Sequence, residues 1–342
     1  MGGGVIGLSL ALSLRRHGAK VLIIDRGAPG REASYAAGGM LSDRGPELLD
    51  QLRPLAVASA LRYPEFVHEL QDESRQRIDL REDGTLLFSH DRVADAAASM
   101  LDPESVKQLE PQLEPPSPAL LLQERSVDPR QIIDALLTAA KHRGIEIATG
   151  NAVDELLVER EQVVGVRTRT TTFRAAVVVN CAGAWAGAIG PAKFPVKPIK
   201  GQMLALVAEP RTIPRHVIRT ADVYLIPRND GRLIVGSTLE DAGFDKRVDA
   251  PVIQALHQKA AALVPELGEA RMLEAWTGLR PATPDELPIL GRTRLDGYFV
   301  ATGHYRDGIL LAPITALLMT RLIRGQQPGL DITAFSPGRF FS

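Results

Sequence analysis

Apolar residues recur at helical spacing from Leu8 to His17, and Gly18 ends the run, so the pattern predicts a helix with a buried face. Lys20-Val21-Leu22-Ile23-Ile24 then reads as a short β-branched strand ending at Asp25. Much later, Arg174 to Cys181 carries Ala-Ala-Val-Val-Val-Asn, a buried-strand pattern, followed by a small-residue turn at Ala182-Gly183-Ala184 and a helix start at Trp185. Near the end, Tyr298-Phe299-Val300-Ala301 predicts a strand, Thr302 to Gly308 a glycine-bounded loop, and Ile309 to Ile323 an apolar-faced helix. Between these segments lie two stretches of different character. Residues 77–126 hold a short strand around Gly84 to Phe88 and a proline-rich run from Pro111 to Pro118, whereas residues 197–275 are rich in strands. Within the latter, Asp222-Val-Tyr-Leu-Ile-Pro and Arg232-Leu-Ile-Val-Gly-Ser flank Asn229-Asp230-Gly231, a hairpin signal.

The chain's 342 residues exceed one ordinary core and suit two intimately packed domains. The absence of an internal repeat or low-complexity linker suggests that they are interleaved by several crossings. Apolar residues at 45% and charged residues at 24% are the proportions of a globular protein. A net charge of −1 supplies no overall field for nucleic acid or an anionic membrane, leaving small molecules as the expected partners. The single cysteine, Cys181, excludes an internal disulfide and a cysteine-based metal cluster and suits a reducing cytoplasm. The run from Val5 to Leu14 is not read as a secretion signal: no basic segment precedes it, glycines interrupt it, and Arg15-Arg16 stand where a cleavage site belongs. No run reaches the roughly 18–20 apolar residues that span a bilayer. The seven histidines lack H-x-x-x-H pairing and no serine has nucleophile-elbow context, so no metal site or hydrolase is expected.

Gly2-Gly3-Gly4-Val5-Ile6-Gly7 matches G-x-G-x-x-G, and Asp25 stands eighteen residues after Gly7 at a strand's carboxyl end. Glycines alone also mark simple turns. Loop, helix, strand and terminal carboxylate in that order favour a dinucleotide cradle: backbone approaches the pyrophosphate, the helix N-terminus offers N–H groups, and the acid accepts from the ribose. Arg26 raises the alternative of a 2′-phosphate, which Asp25 would repel. The fingerprint needs a strand before its first glycine, where this chain has Met1, so the numbered chain is expected to begin downstream of the true start.

After Asp25 the regular strand–helix alternation of a nicotinamide dehydrogenase gives way to Ser34-Tyr35-Ala36-Ala37-Gly38-Gly39-Met40-Leu41. Such small residues admit a flat ligand, although a surface loop explains them equally well. The helix beginning after Gly308 offers a second N-terminus, suited to a reduced flavin ring or its pyrophosphate, with an ordinary crossover as the alternative.

Gly2 to Asp25, Ser34 to Met40, Val178-Asn180-Cys181-Ala182-Gly183-Ala184-Trp185, Trp276-Thr277-Gly278-Leu279-Arg280-Pro281 and Gly303-His304-Tyr305-Arg306-Asp307-Gly308-Ile309-Leu310-Leu311-Ala312-Pro313 together resemble the D-amino-acid oxidase superfamily. The last two segments look most like the glycine oxidases of thiamine biosynthesis, and the similarity covers nearly the whole chain. The resemblance implies non-covalent FAD and an α/β fold, α+β overall. A Rossmann-like FAD-binding domain (1–76, 127–196, 277–342) would be interleaved with a substrate domain (77–126, 197–276) on a large, mostly antiparallel sheet. It implies a homotetramer and molecular oxygen as acceptor. Cofactor contacts would come from Gly2, Gly4, Val5, Ile6 and Gly7, from Asp25, Arg26, Ala33 and Ser34, and from Gly38, Gly39 and Met40. Val153, Ala182, Gly183 and Trp185 would add to them, as would His304 through Leu310, namely His304, Tyr305, Arg306, Asp307, Gly308, Ile309 and Leu310.

A bound amino acid needs its carboxylate neutralised by a permanent charge, and arginine's planar fork suits this. By similarity to glycine oxidases Arg280 is that clamp, Tyr224 lies by the carboxylate and Arg306 near substrate and flavin. A surface salt bridge for Arg280 and a buried, satisfied tyrosine are the plain alternatives. Met40 and Leu239 narrow the pocket unless they are simple packing. His304 titrates near neutrality but is not taken as a base, because the resemblance implies direct hydride transfer from the α-carbon of a neutral amine. It is expected to support the flavin loop. The implied reaction converts glycine to glyoxylate, ammonia and hydrogen peroxide. Oxidation of sarcosine, proline or larger D-amino acids, or a non-catalytic flavin- or nucleotide-binding module, are the alternatives.

Overall fold

The computed structural model describes residues 1–45, 48–88, 99–190 and 193–341. Its first helix, Val5–Arg16, ends at His17 and Gly18, whose φ of +87° breaks the helical path at no steric cost to glycine. The strand Leu22–Ile24 pairs in parallel with Glu146–Ala148. A second parallel pair joins Val178–Asn180 to Tyr298–Thr302, with Ile289–Arg292 antiparallel at its edge. The residues that open the fingerprint, Met1 and Gly2, lie between these two groups. Met1 and Gly2 bridge them: the Met1 ammonium donates to Val179 O at 2.9 Å, Cys181 N–H to Met1 O at 2.8 Å, and Gly2 N–H to Ile24 O at 2.8 Å.

Helices Val5–Arg16, Arg53–Ser74, Pro129–His142 and Gly308–Ile323 enclose the largest core, which includes Leu8, Leu55, Tyr63, Leu136 and Leu311. Pro313 lies inside Gly308–Ile323 and cannot donate to the Ile309 carbonyl one turn back. The buried Tyr63 hydroxyl donates there instead, at 3.1 Å, tying two helices together. No helix among the described residues is long and apolar enough to cross a membrane.

The large sheet has eight strands in the order Arg271–Ala282, Lys197–Val207, Arg232–Gly236, Tyr224–Pro227, Val217–Arg219, Thr85–Leu87, Ala119–Leu122, Ser99–Leu101. Every neighbouring pair is antiparallel except Val217–Arg219 against Thr85–Leu87. Residue alternation divides its faces. Leu204, Leu225, Leu233 and Val235 pack with Leu256 of the helix Ala250–Leu263, whereas Met203, Ile226 and Ile234 turn the other way, toward Met40, Tyr224 and Trp276. The predicted hairpin is present, with Gly231 at φ +85° and Arg228 N–H donating to Arg232 O at 2.9 Å.

Two local expectations are corrected. Only Val178–Asn180 of the run from Arg174 forms the parallel strand, because its partner begins opposite Val178; Ala175 donates its N–H to Val164 O and stays exposed. Arg174 closes a separate antiparallel ribbon of Val153–Glu159, Gln162–Thr168 and Thr172–Arg174. At Trp185 there is no α-helix start but a 3₁₀ segment, Gly183–Ala188. Asn180 tightens it, donating to Ala186 O at 3.0 Å and accepting from Ala182 N–H at 3.2 Å.

Candidate functional site

Where the two halves meet, one cleft of about 640 Å³ runs from the Asp25 and Val153 end to Tyr224 and Arg280, a size suited to a small-molecule or cofactor site. At its inner end the Val5–Arg16 helix presents its N-terminus. Gly4 caps it without a side chain, and Val5 N–H donates to Ser34 Oγ at 3.0 Å. The amides of Ile6 and Gly7 have no acceptor among the described residues. The Asp25 carboxylate accepts from Gly3 N–H at 2.7 Å and Gly27 N–H at 2.8 Å, which fixes the glycine loop against the strand end. Arg26 lies 4.4 Å over the Trp185 ring, and Trp185 stacks on Phe244 at 5.3 Å.

Of the sequence-predicted cofactor residues, Gly2, Gly4, Val5, Ile6, Asp25, Arg26, Ala33 and Ser34 line this cleft, as do Gly38, Gly39, Met40, Val153, Ala182, Gly183 and Trp185. So do His304 through Ile309. Gly7 and Leu310 do not. Gly7 packs against the Gly2 carbonyl, where a Cβ would fall 2.0 Å away, and Leu310 is 1% exposed in the main core. The amides of Ile309 and Leu310 nevertheless have no acceptor among the described residues, so a second helix N-terminus is presented. Tyr305 N–H donates to Pro281 O at 3.0 Å, drawing the 303–308 loop onto the Trp276–Pro281 segment. His304 points away into the core, 3.1 Å from Thr315 Oγ1, and burial lowers its pKa to about 3.

The sheet supplies the other end. Arg280 donates to Thr238 O at 3.1 Å and Ser237 Oγ at 2.5 Å, and no carboxylate among the described residues lies within ion-pair distance of it. Gly201, on the adjacent strand, makes room: a Cβ there would lie 2.1 Å from Arg280 Nη1. Gly236 does the same for Tyr224, whose ring would be 2.8 Å from an added Cβ. Tyr224 thus packs on Gly236 and Arg280 on the next residue, Ser237. Met40 and Leu239 both line the cleft, Met40 half-buried and Leu239 52% exposed. Arg306 is exposed at the mouth, 4.9 Å over the Tyr305 ring.

Sequence reasoning missed two features. One is the ion pair of Arg219, which lines the cleft, with Glu124 behind it at 3.1 Å, where burial raises the Glu124 pKa against the opposing pull of Arg219. The other is the stacking of Arg130 between Tyr35, at 4.1 Å, and Trp276, at 4.5 Å. Neither leaves a local signal, because each joins residues far apart in the chain.

A glycine-loop helix N-terminus facing a broad, mostly antiparallel sheet across one deep cleft marks the class of flavin-dependent oxidoreductases. The chain belongs to the FAD dependent oxidoreductase (DAO) family, whose model matches residues 1–322. It is 36% identical over 358 residues to the bifunctional protein ThiO/ThiG of Trichormus variabilis, covering 99% of this chain and 54% of that protein. The chain thus spans about half the length of the first curated relatives it matches. It is 32% identical to the glycine oxidase of Pseudomonas aeruginosa, over 98% of this chain and 97% of that one. The solved glycine oxidase of Geobacillus kaustophilus superposes with a TM-score of 0.92 at 31% identity, over 98% of this chain and 96% of the other.

FAD is the cofactor this family uses, and the residues present fit it. Acceptor-free amides stand at two helix N-termini on one continuous cleft, and the small residues Ser34, Ala36, Ala37, Gly38 and Gly39 line its wall.

Proposed function

We propose that the protein oxidises the carbon–nitrogen bond of a small amino acid, glycine first. Glycine, water and oxygen give glyoxylate, ammonia and hydrogen peroxide through an imine that water hydrolyses. The observation that carries this reading is Arg280, a guanidinium lining the cleft with a carbonyl and a hydroxyl for partners. When bound, FAD supplies the acceptor for the hydride from the α-carbon. Arg280 receives the substrate carboxylate in its fork, Tyr224 flanks it, and Arg306 lies at the mouth. Met40 and Leu239 limit the side chain that fits. His304, neutral and turned into the core, holds the loop and takes no proton. The cofactor is held without a covalent bond by Gly2, Gly4, Val5, Ile6 and Asp25 at one end and by Gly38 through Met40 and His304 through Ile309 at the other. Residues 1–76, 127–196 and 277–342 form its domain, and 77–126 and 197–276 the amine-holding one.

Resemblance to glycine oxidases supports a cytoplasmic homotetramer that uses oxygen and serves thiamine biosynthesis. Replacing Arg280 with Ala tests the assignment. Loss of a buried charged partner costs about 2–5 kcal/mol, so the glycine KM rises roughly 30-fold or more while flavin content holds. Unchanged kinetics would defeat the role. Peroxide release from glycine, sarcosine, proline and D-alanine separates glycine oxidation from its neighbours: a larger amine turned over in preference to glycine refutes the substrate.

A further inference from the structure

The turn between Tyr224–Pro227 and Arg232–Gly236 leaves its own sheet and docks on the opposite half of the molecule. Asn229 donates to Asp79 twice, from its backbone N–H at 2.8 Å and from Nδ2 at 2.6 Å. Arg232 Nη2 donates to Asp128 Oδ2 at 2.7 Å, and the other oxygen of Asp128 caps the Pro129–His142 helix through Arg130 N–H at 2.9 Å. Arg228 runs inward from this dock. It is 5% exposed, its Nη2 donates to the Gly38 carbonyl, and its Nη1 has no hydrogen-bond partner among the described residues. Burial lowers its pKa to about 10 while Asp128 and Asp79 oppose the fall, so it is charged at neutral pH.

The carbonyl it grips belongs to the wall of the cleft. Gly38 and Gly39 both line it, and neither amide has an acceptor among the described residues. The neighbouring carbonyl is fixed too: Gly39 O accepts from Val127 N–H at 2.8 Å, and at its φ of +82° a Cβ on Gly39 would lie 2.0 Å from Val127 O. Pinning the Gly38 carbonyl from behind fixes the direction of the Gly39 N–H in the same peptide, and pinning the Gly39 carbonyl fixes the next peptide along. A charged donor on one end of a peptide also polarises the other end, strengthening its N–H as a donor.

We infer that Arg228, which does not itself line the cleft, is a positioning residue that holds and polarises the Gly38–Gly39 peptide so that the cleft favours the reduced, electron-rich state of its cofactor. The inference rests on the proposed flavin function and deepens it. A guanidinium retained in a buried place with one nitrogen unsatisfied is costly for stability alone, and an uncharged side chain such as Met would fill the space without that cost. Its charge, one peptide behind the cleft wall, acts where water cannot screen it.

The test is the two-electron reduction potential of the bound flavin in the purified holoprotein, with Arg228→Lys, which keeps the charge, and Arg228→Gln, which keeps a donor without it. Asn229→Ala loosens the same dock and leaves the guanidinium in place. The expected result is a tenfold loss in the reduction equilibrium for Arg228→Gln, about 30 mV for a two-electron couple, with most of the potential restored in Arg228→Lys and the value for Asn229→Ala close to that of the unaltered protein. Equal potentials in all four proteins, an equal fall in Lys and Gln variants, or a fall in Asn229→Ala matching that in Arg228→Gln would overturn it. An unaltered protein that takes up no FAD would instead sink the flavin reading and this inference together.

Discussion

Arg280 is held by one carbonyl and one hydroxyl rather than by a carboxylate, and in the proposed role that leaves its charge for a substrate carboxylate, where a structural salt bridge would have spent it. His304 shows the opposite use of burial. With desolvation lowering its pKa to about 3 against an ordinary 6.5, the unfolded chain binds a proton between those values that the folded one refuses. Its contribution is therefore fully present above pH 6.5 and is lost as the pH falls toward 3. At pH 5.5, one unit below the ordinary value, the loss is on the order of 1 kcal/mol. Urea midpoints at pH 7.5 and 5.5 should fall further for the unaltered protein than for His304→Gln; parallel falls would show that His304 is not the group responsible. That Arg280 and most of the motif glycines line the cleft was legible through their motifs, and Tyr224 through strand alternation and resemblance. Arg228 was not, because its partner is a backbone carbonyl 190 residues away and no local spacing encodes that contact.

Strands place these side chains, and their glycines decide how closely. On Lys197–Val207, Gly201 leaves the space into which Arg280 of the paired strand folds back. In Gly201→Ala the obstructed atoms are the far end of a flexible side chain, so the sheet survives while the guanidinium shifts. A misplacement of about 1 Å costs on the order of 100-fold. The expected outcome is a glycine kcat/KM reduced by that order with the thermal midpoint and flavin content preserved. Unchanged kinetics would mean the gap is incidental. The hairpin, the glycine loop, the first helix and the last helix could be read from pattern and turn residues. The ribbon Val153–Arg174 could not, since its strands alternate weakly and half of their residues face solvent. The shortened strand at Val178 likewise depended on where its partner begins, which is tertiary information.

Across the whole molecule, two principal cores lie on either side of the cleft, and ties from one half to the other close it. Arg130 stacks between Tyr35 and Trp276, Lys246 pairs with Glu32 at 2.8 Å, Phe244 meets Trp185, and the Arg228 turn reaches Gly38. A cofactor seated between them would bind the folded state alone and stabilise it, by about 2.7 kcal/mol at a hundredfold excess over its Kd. Protein stripped of flavin should accordingly melt lower and recover with FAD but not with NAD; recovery with NAD would reassign the cradle. The alternation of segment types was legible along the chain, whereas the contacts that close the cleft, joining residues far apart in sequence, were not. The most direct measurement is the visible flavin band of the purified protein under anaerobic conditions as glycine is added. The band should bleach with glycine and return when oxygen is admitted. A band that stays unchanged at saturating glycine would contradict the proposed chemistry.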